Sequence, residues 1–133
     1  MRTLGFEEVI LVVEDVLACA AFYRDVVGLT PESEASEEWA WFRLVGEPAQ
    51  RLGITTGPLL YEERSPRPAG DAFGGVHFAI HAPADEIEPL LERLRRAGRE
   101  VYGPKRFEQM GATSWYVYDP GGHLAEFWVR DPA

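Results

Sequence analysis

Apolar and polar positions alternate in short runs along this chain, and two longer segments repeat at helical spacing. Residues 8–13, Glu-Val-Ile-Leu-Val-Val, predict a strand rich in β-branched side chains. Val9, Leu11 and Val13 fall on one face; Glu8, Ile10 and Val12 fall on the other. Both faces are apolar apart from Glu8, which predicts cover on both sides. Asp15 has the character of an N-cap. Val16, Ala20, Tyr23 and Val27 follow at helical spacing, and Gly28 suits the left-handed position past the helix end. Three short strands are expected over residues 30–35, 39–45 and 51–56, with a turn at Gly46-Glu47-Pro48. Trp39 and Trp41 alternate with Ala40 and Phe42, so one strand face carries two indoles. Such a pair serves either as core packing or as the aromatic wall of a ligand cavity.

Residues 57–75 hold Pro58, Pro66 and Pro68 among several glycines and show no sustained period, the pattern of a linker or mobile loop. A strand restarts over 76–82, with His77, Ala79 and His81 on one face and Val76, Phe78 and Ile80 on the other. Asp85 and Glu88 have capping-box spacing. Ile87, Leu90, Leu91, Leu94 and Ala97 then trace an amphipathic stripe that Gly98 closes. Strands follow at about 100–107, 113–118 and 123–129. Between the last two, Asp119-Pro120-Gly121-Gly122 predicts a type II turn, with Gly121 in the positive-φ position. On the final strand Leu124, Glu126 and Trp128 share a face. A mid-strand carboxylate between two large apolar residues is costly unless it is paired, hydrogen-bonded or metal-bound; an edge-strand Glu facing water is the ordinary alternative.

The order strand–helix–strand–strand–strand thus occurs twice. The expected architecture is α+β: two βαβββ modules forming a curved mixed sheet around a cavity, with helices on the convex side. One domain would hold module one (about 5–57), a linker (about 58–74) and module two (about 75–131). Glu8 and His77 open the two copies at equivalent places. The concave face would be lined by Glu8, Ile10, Val12, His77, Ala79, Leu124, Glu126 and Trp128, an apolar hollow with three convergent polar groups. Trp39, Trp41 and Tyr116 are further ligand-contact candidates. His81 is a candidate acid/base or hydrogen-bond donor. His123 is expected in solvent, and Gln109-Met110-Gly111 reads as a hairpin turn or a lid.

Composition narrows the function classes. The chain has 133 residues, 46% hydrophobic, with a net charge of −9. That argues against nucleic acid or an anionic membrane surface as partner. Cys19 is the single cysteine, so no internal disulfide is possible; it reads as a small core hydrophobe. No signal-peptide pattern and no apolar run of membrane-spanning length is present, so a cytoplasmic protein is expected.

Three segments carry a family resemblance: EVILVVEDVLACAAFYRDVVGL (8–29), VHFAIHAPADEIEPLLERLRRAG (76–98) and YDPGGHLAEFWV (118–129). Together they resemble the vicinal oxygen chelate superfamily of glyoxalase I, bleomycin-resistance proteins, fosfomycin-resistance enzymes, extradiol dioxygenases and methylmalonyl-CoA epimerase. The resemblance implies metal ligation by His77, Glu126 and Glu8; Glu126 and, by its place on the His77 face, His81 are the catalytic candidates. Glu8 departs from the histidine common at the first position. The fourth ligand of glyoxalase I falls near Gly53 or Ile54, where no carboxylate stands. The implied protein is a lyase, isomerase or dioxygenase acting on a small oxygenated molecule, with Mn, Fe(II), Zn, Ni or Mg as cofactor. The alternative is a metal-free ligand-binding protein of the bleomycin-resistance type. A homodimer is expected, as is usual in that family.

Overall fold

The computed structural model describes residues 1–57 and 74–133. Most of the expected linker lies outside the described residues. The chain divides into two compact units, Met1–Gly74 and Gly75–Ala133.

The first unit runs β1 (Glu8–Val12), α1 (Val16–Ala21), a π-helical turn (Phe22–Val27), β2 (Thr30–Pro31), β3 (Trp39–Arg43) and β4 (Arg51–Thr55). Its sheet has the order β1-β4-β3-β2, with β1 parallel to β4 and the other pairs antiparallel. Asp15 starts α1 by accepting the Ala18 N–H at 3.0 Å. The helix widens at its end, where Gly28 and Leu29 both donate to the Tyr23 carbonyl, and Gly28 turns the chain at φ 90°. Helix α1 packs on β3 and β4. Leu11, Tyr23, Ala40, Phe42, Leu52 and Ile54 are buried there.

On the other face of β1, Ile10 and Val12 are half-buried and Glu8 is exposed, so the Leu11 and Val13 side is the better covered of the two. The predicted strand 30–35 is reduced to Thr30–Pro31. Ser36 is the reason: its Oγ accepts the N–H groups of Glu38 and Trp39, and its N–H donates to the Trp39 carbonyl. That local turn takes the backbone out of the ladder.

The second unit repeats the topology with β5 (His77–His81), a 3-10 turn (Ala84–Glu86), α2 (Ile87–Arg96), β6 (Tyr102–Phe107), β7 (Ala112–Tyr118) and β8 (Leu124–Arg130). The sheet order is β5-β8-β7-β6, again with one parallel pair, β5 with β8. Helix α2 buries Ile87, Leu90, Leu91 and Leu94. The expected capping box does not form. Asp85 lies in the 3-10 turn, and α2 begins after Glu86 without a side-chain cap. Pro89 therefore falls in the first turn, where its missing N–H costs nothing. Residues 108–110 form a 3-10 turn between β6 and β7, which is the hairpin reading of that loop.

The turn before β8 differs from expectation. Gly122 donates to the Asp119 carbonyl at 3.0 Å, but the positive φ falls on Gly122 and not on Gly121. The Asp119 carboxylate decides this by accepting the N–H groups of both Gly121 and His123 at 2.9 Å. His123 is also not in solvent. It is 3% exposed, and its Nδ1 accepts the Val76 N–H at 2.9 Å, fastening the start of β5 to the start of β8. The architecture is α+β, with two four-stranded mixed sheets and a helix in each unit.

Candidate functional site

In the second unit β8 is an interior strand, paired to β5 on one side and β7 on the other. Glu126 is therefore not an edge residue facing water; it is 6% exposed. Register sets Ala79 beside it on β5 and Tyr116 beside it on β7. Ala79 is too short to satisfy a carboxylate. The partner comes from two residues earlier on β5: His77 Nε2 lies 2.9 Å from Glu126 Oε2. The carboxylate side chain is 8% exposed and the imidazole 53% exposed, so the pair is anchored at one end and open at the other.

Neighbouring residues frame that pair. The Tyr116 ring lies 5.9 Å from the His77 ring at 62°. Ser114, fully buried, donates its hydroxyl to Tyr116 Oη at 3.1 Å. Leu124 is half-buried and sits next to His77 in register. Trp128 is opposite Ser114 and His81, with its ring 5.0 Å from Phe107. His81 is exposed, and its side chain makes no hydrogen bond or ion pair among the described residues.

The first unit holds the remaining candidates. Glu8 pairs in register with Arg51, Ile10 with Gly53 and Val12 with Thr55. Trp41 lies flat across Gly53: a Cβ there would come within 2.6 Å of Trp41 Cζ3. Trp39 stacks on Trp41 with centroids 5.3 Å apart and planes 6° from parallel. The Arg51 guanidinium carbon sits 4.1 Å from the Trp41 ring centroid. Arg51 Nε is 3.4 Å from Glu32 Oε2, an ion pair without hydrogen-bond geometry. A separate cleft of about 180 Å³ on the α1 side is lined by Ala20, Arg24, Pro31, Ser33, Trp41 and Phe42, among others.

The structure thus joins His77, Glu126 and Tyr116 within one unit, and Trp39 and Trp41 within the other, to which Glu8 also belongs. Parity along the strand puts Ser114 on the same side as Tyr116, and the two are joined; sequence reasoning missed Arg51 and the role of Gly53. A glycine inside a strand run was the available signal for close approach.

The model of the Glyoxalase/Bleomycin resistance protein/Dioxygenase superfamily matches residues 5–127. The chain belongs to that superfamily. Solved structures agree. A lactoylglutathione lyase from Agrobacterium tumefaciens is 25% identical with TM-score 0.72, over 97% of this chain and 96% of that one. A glyoxalase/bleomycin resistance protein/dioxygenase from Nocardioides is 26% identical with TM-score 0.68, over 100% and 87%. An integron cassette protein from the mobile metagenome of a Halifax Harbour sewage outfall is 26% identical with TM-score 0.71, over 96% and 99%. No curated protein gives a significant match.

For this member of the superfamily, the donor chemistry can be tested against a divalent metal. An imidazole nitrogen and a carboxylate oxygen 2.9 Å apart are borderline and hard donors of the right kind. They fit as two of the ligands. Within either unit, among the described residues, no group of three or more His, Cys, Asp or Glu side chains is gathered to hold an ion. Gly53 and Ile54 offer no side-chain donor, and the Trp41 ring fills the space above Gly53.

Proposed function

We propose that this chain is a divalent-metal-dependent enzyme of the superfamily, a lyase, isomerase or dioxygenase acting on a small oxygenated molecule. One observation carries the reading: a buried carboxylate, Glu126, flanked along its strand by apolar residues and held at 2.9 Å by a half-exposed imidazole, His77. His77 and Glu126 would hold the ion, with Glu8, the repeat counterpart of His77, as third donor. A bound Mn, Fe(II), Zn, Ni or Mg ion would polarise a carbonyl and stabilise charge on its oxygen. His81, unengaged in the same row as His77, is the proposed acid/base. Ile10, Val12, Ala79, Tyr116, Leu124 and Trp128 are the proposed ligand contacts. A cytoplasmic homodimer is part of the proposal.

Calorimetric titration with Mn, Fe(II), Zn, Ni and Mg tests it. The wild type should bind at least one of these ions, and His77→Ala, Glu126→Ala and Glu8→Ala should each abolish binding while Glu7→Ala does not. No binding by wild type retires the metal reading. The second reading, a metal-free small-molecule-binding protein, then stands. It is favoured by the Trp41 ring over Gly53 and by the capacity of His77 and Glu126 to satisfy each other.

A further inference from the structure

His123 is a buried histidine that the proposed chemistry leaves unused. It is 3% exposed and stands directly before β8, the strand that carries Glu126. Its contacts fix its form. The Val76 N–H can only donate, so the Nδ1 that it meets at 2.9 Å is unprotonated, and the ring proton is on Nε2. The backbone of His123 is braced as well. Its N–H donates to Asp119 Oδ1 and its carbonyl accepts the Asp119 N–H, both at 2.9 Å. The imidazole is thus a fixed acceptor on a braced turn.

What it holds is the residue before His77. In the second unit's sheet β5 is an edge strand, and His77 is its first residue. Gly74 and Gly75 precede Val76, and two glycines give the incoming chain little stiffness of its own. Val76 is therefore the anchor. Its carbonyl accepts the Leu124 N–H at 2.9 Å, and its N–H donates to His123. The His77 imidazole is 53% exposed, so packing does little to keep it opposite Glu126, and its placement depends on the backbone beneath it.

The first unit supplies the comparison. One residue back from the Glu8–Arg51 and His77–Leu124 pairs, Glu7 and Gln50 stand where Val76 and His123 stand. The backbone bond is present in both units: Arg51 donates to the Glu7 carbonyl at 3.1 Å, as Leu124 donates to that of Val76. The side-chain bond is not repeated. Gln50 is exposed, and among the described residues its side chain makes no hydrogen bond to Glu7. The extra tie occurs in the half that carries the acid–imidazole pair, so the shared topology alone does not call for it.

We infer that His123 is a positioning residue for the candidate metal site: its Nδ1, acting through the Val76 N–H, sets the start of β5 and so holds the His77 imidazole against Glu126. The inference rests on the proposed function only in taking His77 and Glu126 as ligands; the placement of the ring is read without any ion.

NMR of the isotope-labelled, metal-free, full-length protein tests the placement, and calorimetry with the ion that wild type binds tests its consequence. In wild type a nitrogen–nitrogen coupling should cross the hydrogen bond from the Val76 N–H to His123 Nδ1. In His123→Leu the Val76 amide should exchange at least about tenfold faster, and the His77 ring resonances should move toward those of Glu126→Ala, in which the partner is gone. Ion affinity should fall about tenfold, the scale of loss when the support behind a ligand is removed. His123→Asn restores an acceptor at similar reach and should recover Val76 protection, the His77 resonances and, to within a few-fold, the affinity. Asp15→Ala, which removes a helix cap in the other unit, should lower Tm and leave the His77 resonances in place, which separates positioning from general stability.

Absence of the coupling in wild type overturns the inference. So do wild-type His77 resonances or undiminished ion affinity in a folded His123→Leu variant, and so does failure of His123→Asn to restore them. Should His123→Leu not fold, His123→Ser, whose hydroxyl is too short to reach the Val76 N–H, is read by the same criteria. If wild type binds no ion, the metal reading fails alone, and the metal-free spectra still decide whether His123 places His77.

Discussion

Gly53→Ala asks whether the ring ladder of the first unit exists. The backbone at Gly53 is ordinary strand, since Gly53 is not among the positive-φ glycines. Taken alone, the substitution should stabilise by about 0.4–1 kcal/mol by narrowing the unfolded ensemble. The added methyl, however, would sit 2.6 Å from Trp41 Cζ3, 2.9 Å from Cη2 and 3.0 Å from Cε3. The clash is with the broad side of a ring, not with the tip of a flexible chain, so the indole must lift. Lifting it gives up about 0.5–1.5 kcal/mol of stacking on Trp39 and about 0.5–1 kcal/mol of cation–π contact with Arg51. These terms overlap with an overpacking cost of about 1–3 kcal/mol. Balanced against the entropy gain, the net loss is about 1–2 kcal/mol, or roughly 3–8 °C in Tm for a chain of this size. Near-UV circular dichroism should lose the signal of two coupled indoles. In a Trp41→Ala background the sign should reverse, and Gly53→Ala should stabilise by about 0.4–1 kcal/mol. An unchanged or raised Tm with an unchanged near-UV spectrum in the wild-type background would refute the geometry.

Asp15→Ala removes the acceptor for the Ala18 N–H and should cost about 1 kcal/mol in urea denaturation. Asp119→Ala strands the N–H groups of Gly121 and His123 and should cost about 1–3 kcal/mol by the same assay; a loss below about 0.5 kcal/mol would mean that water replaces the carboxylate. Arg106 holds the Asp131 carboxyl below its ordinary value, chiefly through hydrogen bonding, with contacts of 2.7 Å. A carboxylate depressed in the folded state contributes stability that is present above its unfolded pKa and is lost as pH falls through its folded pKa. Wild type should therefore be more stable than Asp131→Asn at pH 7, and the gap should close below about pH 4; denaturation midpoints at both pH values check it.

The repeat and the strand parities were legible because burial alternates with period two, and the first helix start because Asp15 caps it. Leu11 and Val13 against Ile10 and Val12, and Ala125 and Phe127 against Leu124 and Trp128, fall on the faces that parity gives them, buried against half-buried. Misreadings came where a side chain captures backbone. Ser36 shortened a strand, and Asp119 moved the positive φ by one residue, because one hydroxyl or carboxylate outcompetes the generic turn preference. His123 was misplaced for a related reason. Its neighbours in sequence are turn residues, but its partner is the Val76 N–H, 47 positions away. Of the candidate site, the His77–Glu126 proximity follows from strand parity plus the repeat. The Trp41–Gly53–Arg51 arrangement did not follow, because it depends on which rotamer a ring takes over a neighbouring strand.

Laying the two units over each other by register shows why they carry different chemistry. With Glu8 matched to His77, the parallel pairs match Ile10 to Ala79, Arg51 to Leu124 and Gly53 to Glu126. The antiparallel pairs then match Trp41 to Tyr116 and Trp39 to Ser114. Each unit thus has one row crossing three strands: Ile10, Gly53 and Trp41 in the first, Ala79, Glu126 and Tyr116 in the second. In the first row the middle strand gives up its side chain, and the flanking strands carry the larger Ile and Trp. In the second the middle strand carries a carboxylate, and its flanks shrink to Ala and Tyr. Row volume is roughly conserved while polarity is not, which is the exchange a packed sheet tolerates. It also makes the members of each row interdependent. A carboxylate at position 53 would be forced under an indole, with no imidazole two residues back on β1, since Glu8 stands where His77 stands in the other copy. The same topological slot therefore holds an acid–imidazole pair in one half and the seat of an aromatic stack in the other, and neither half can take on the other's chemistry by a single substitution.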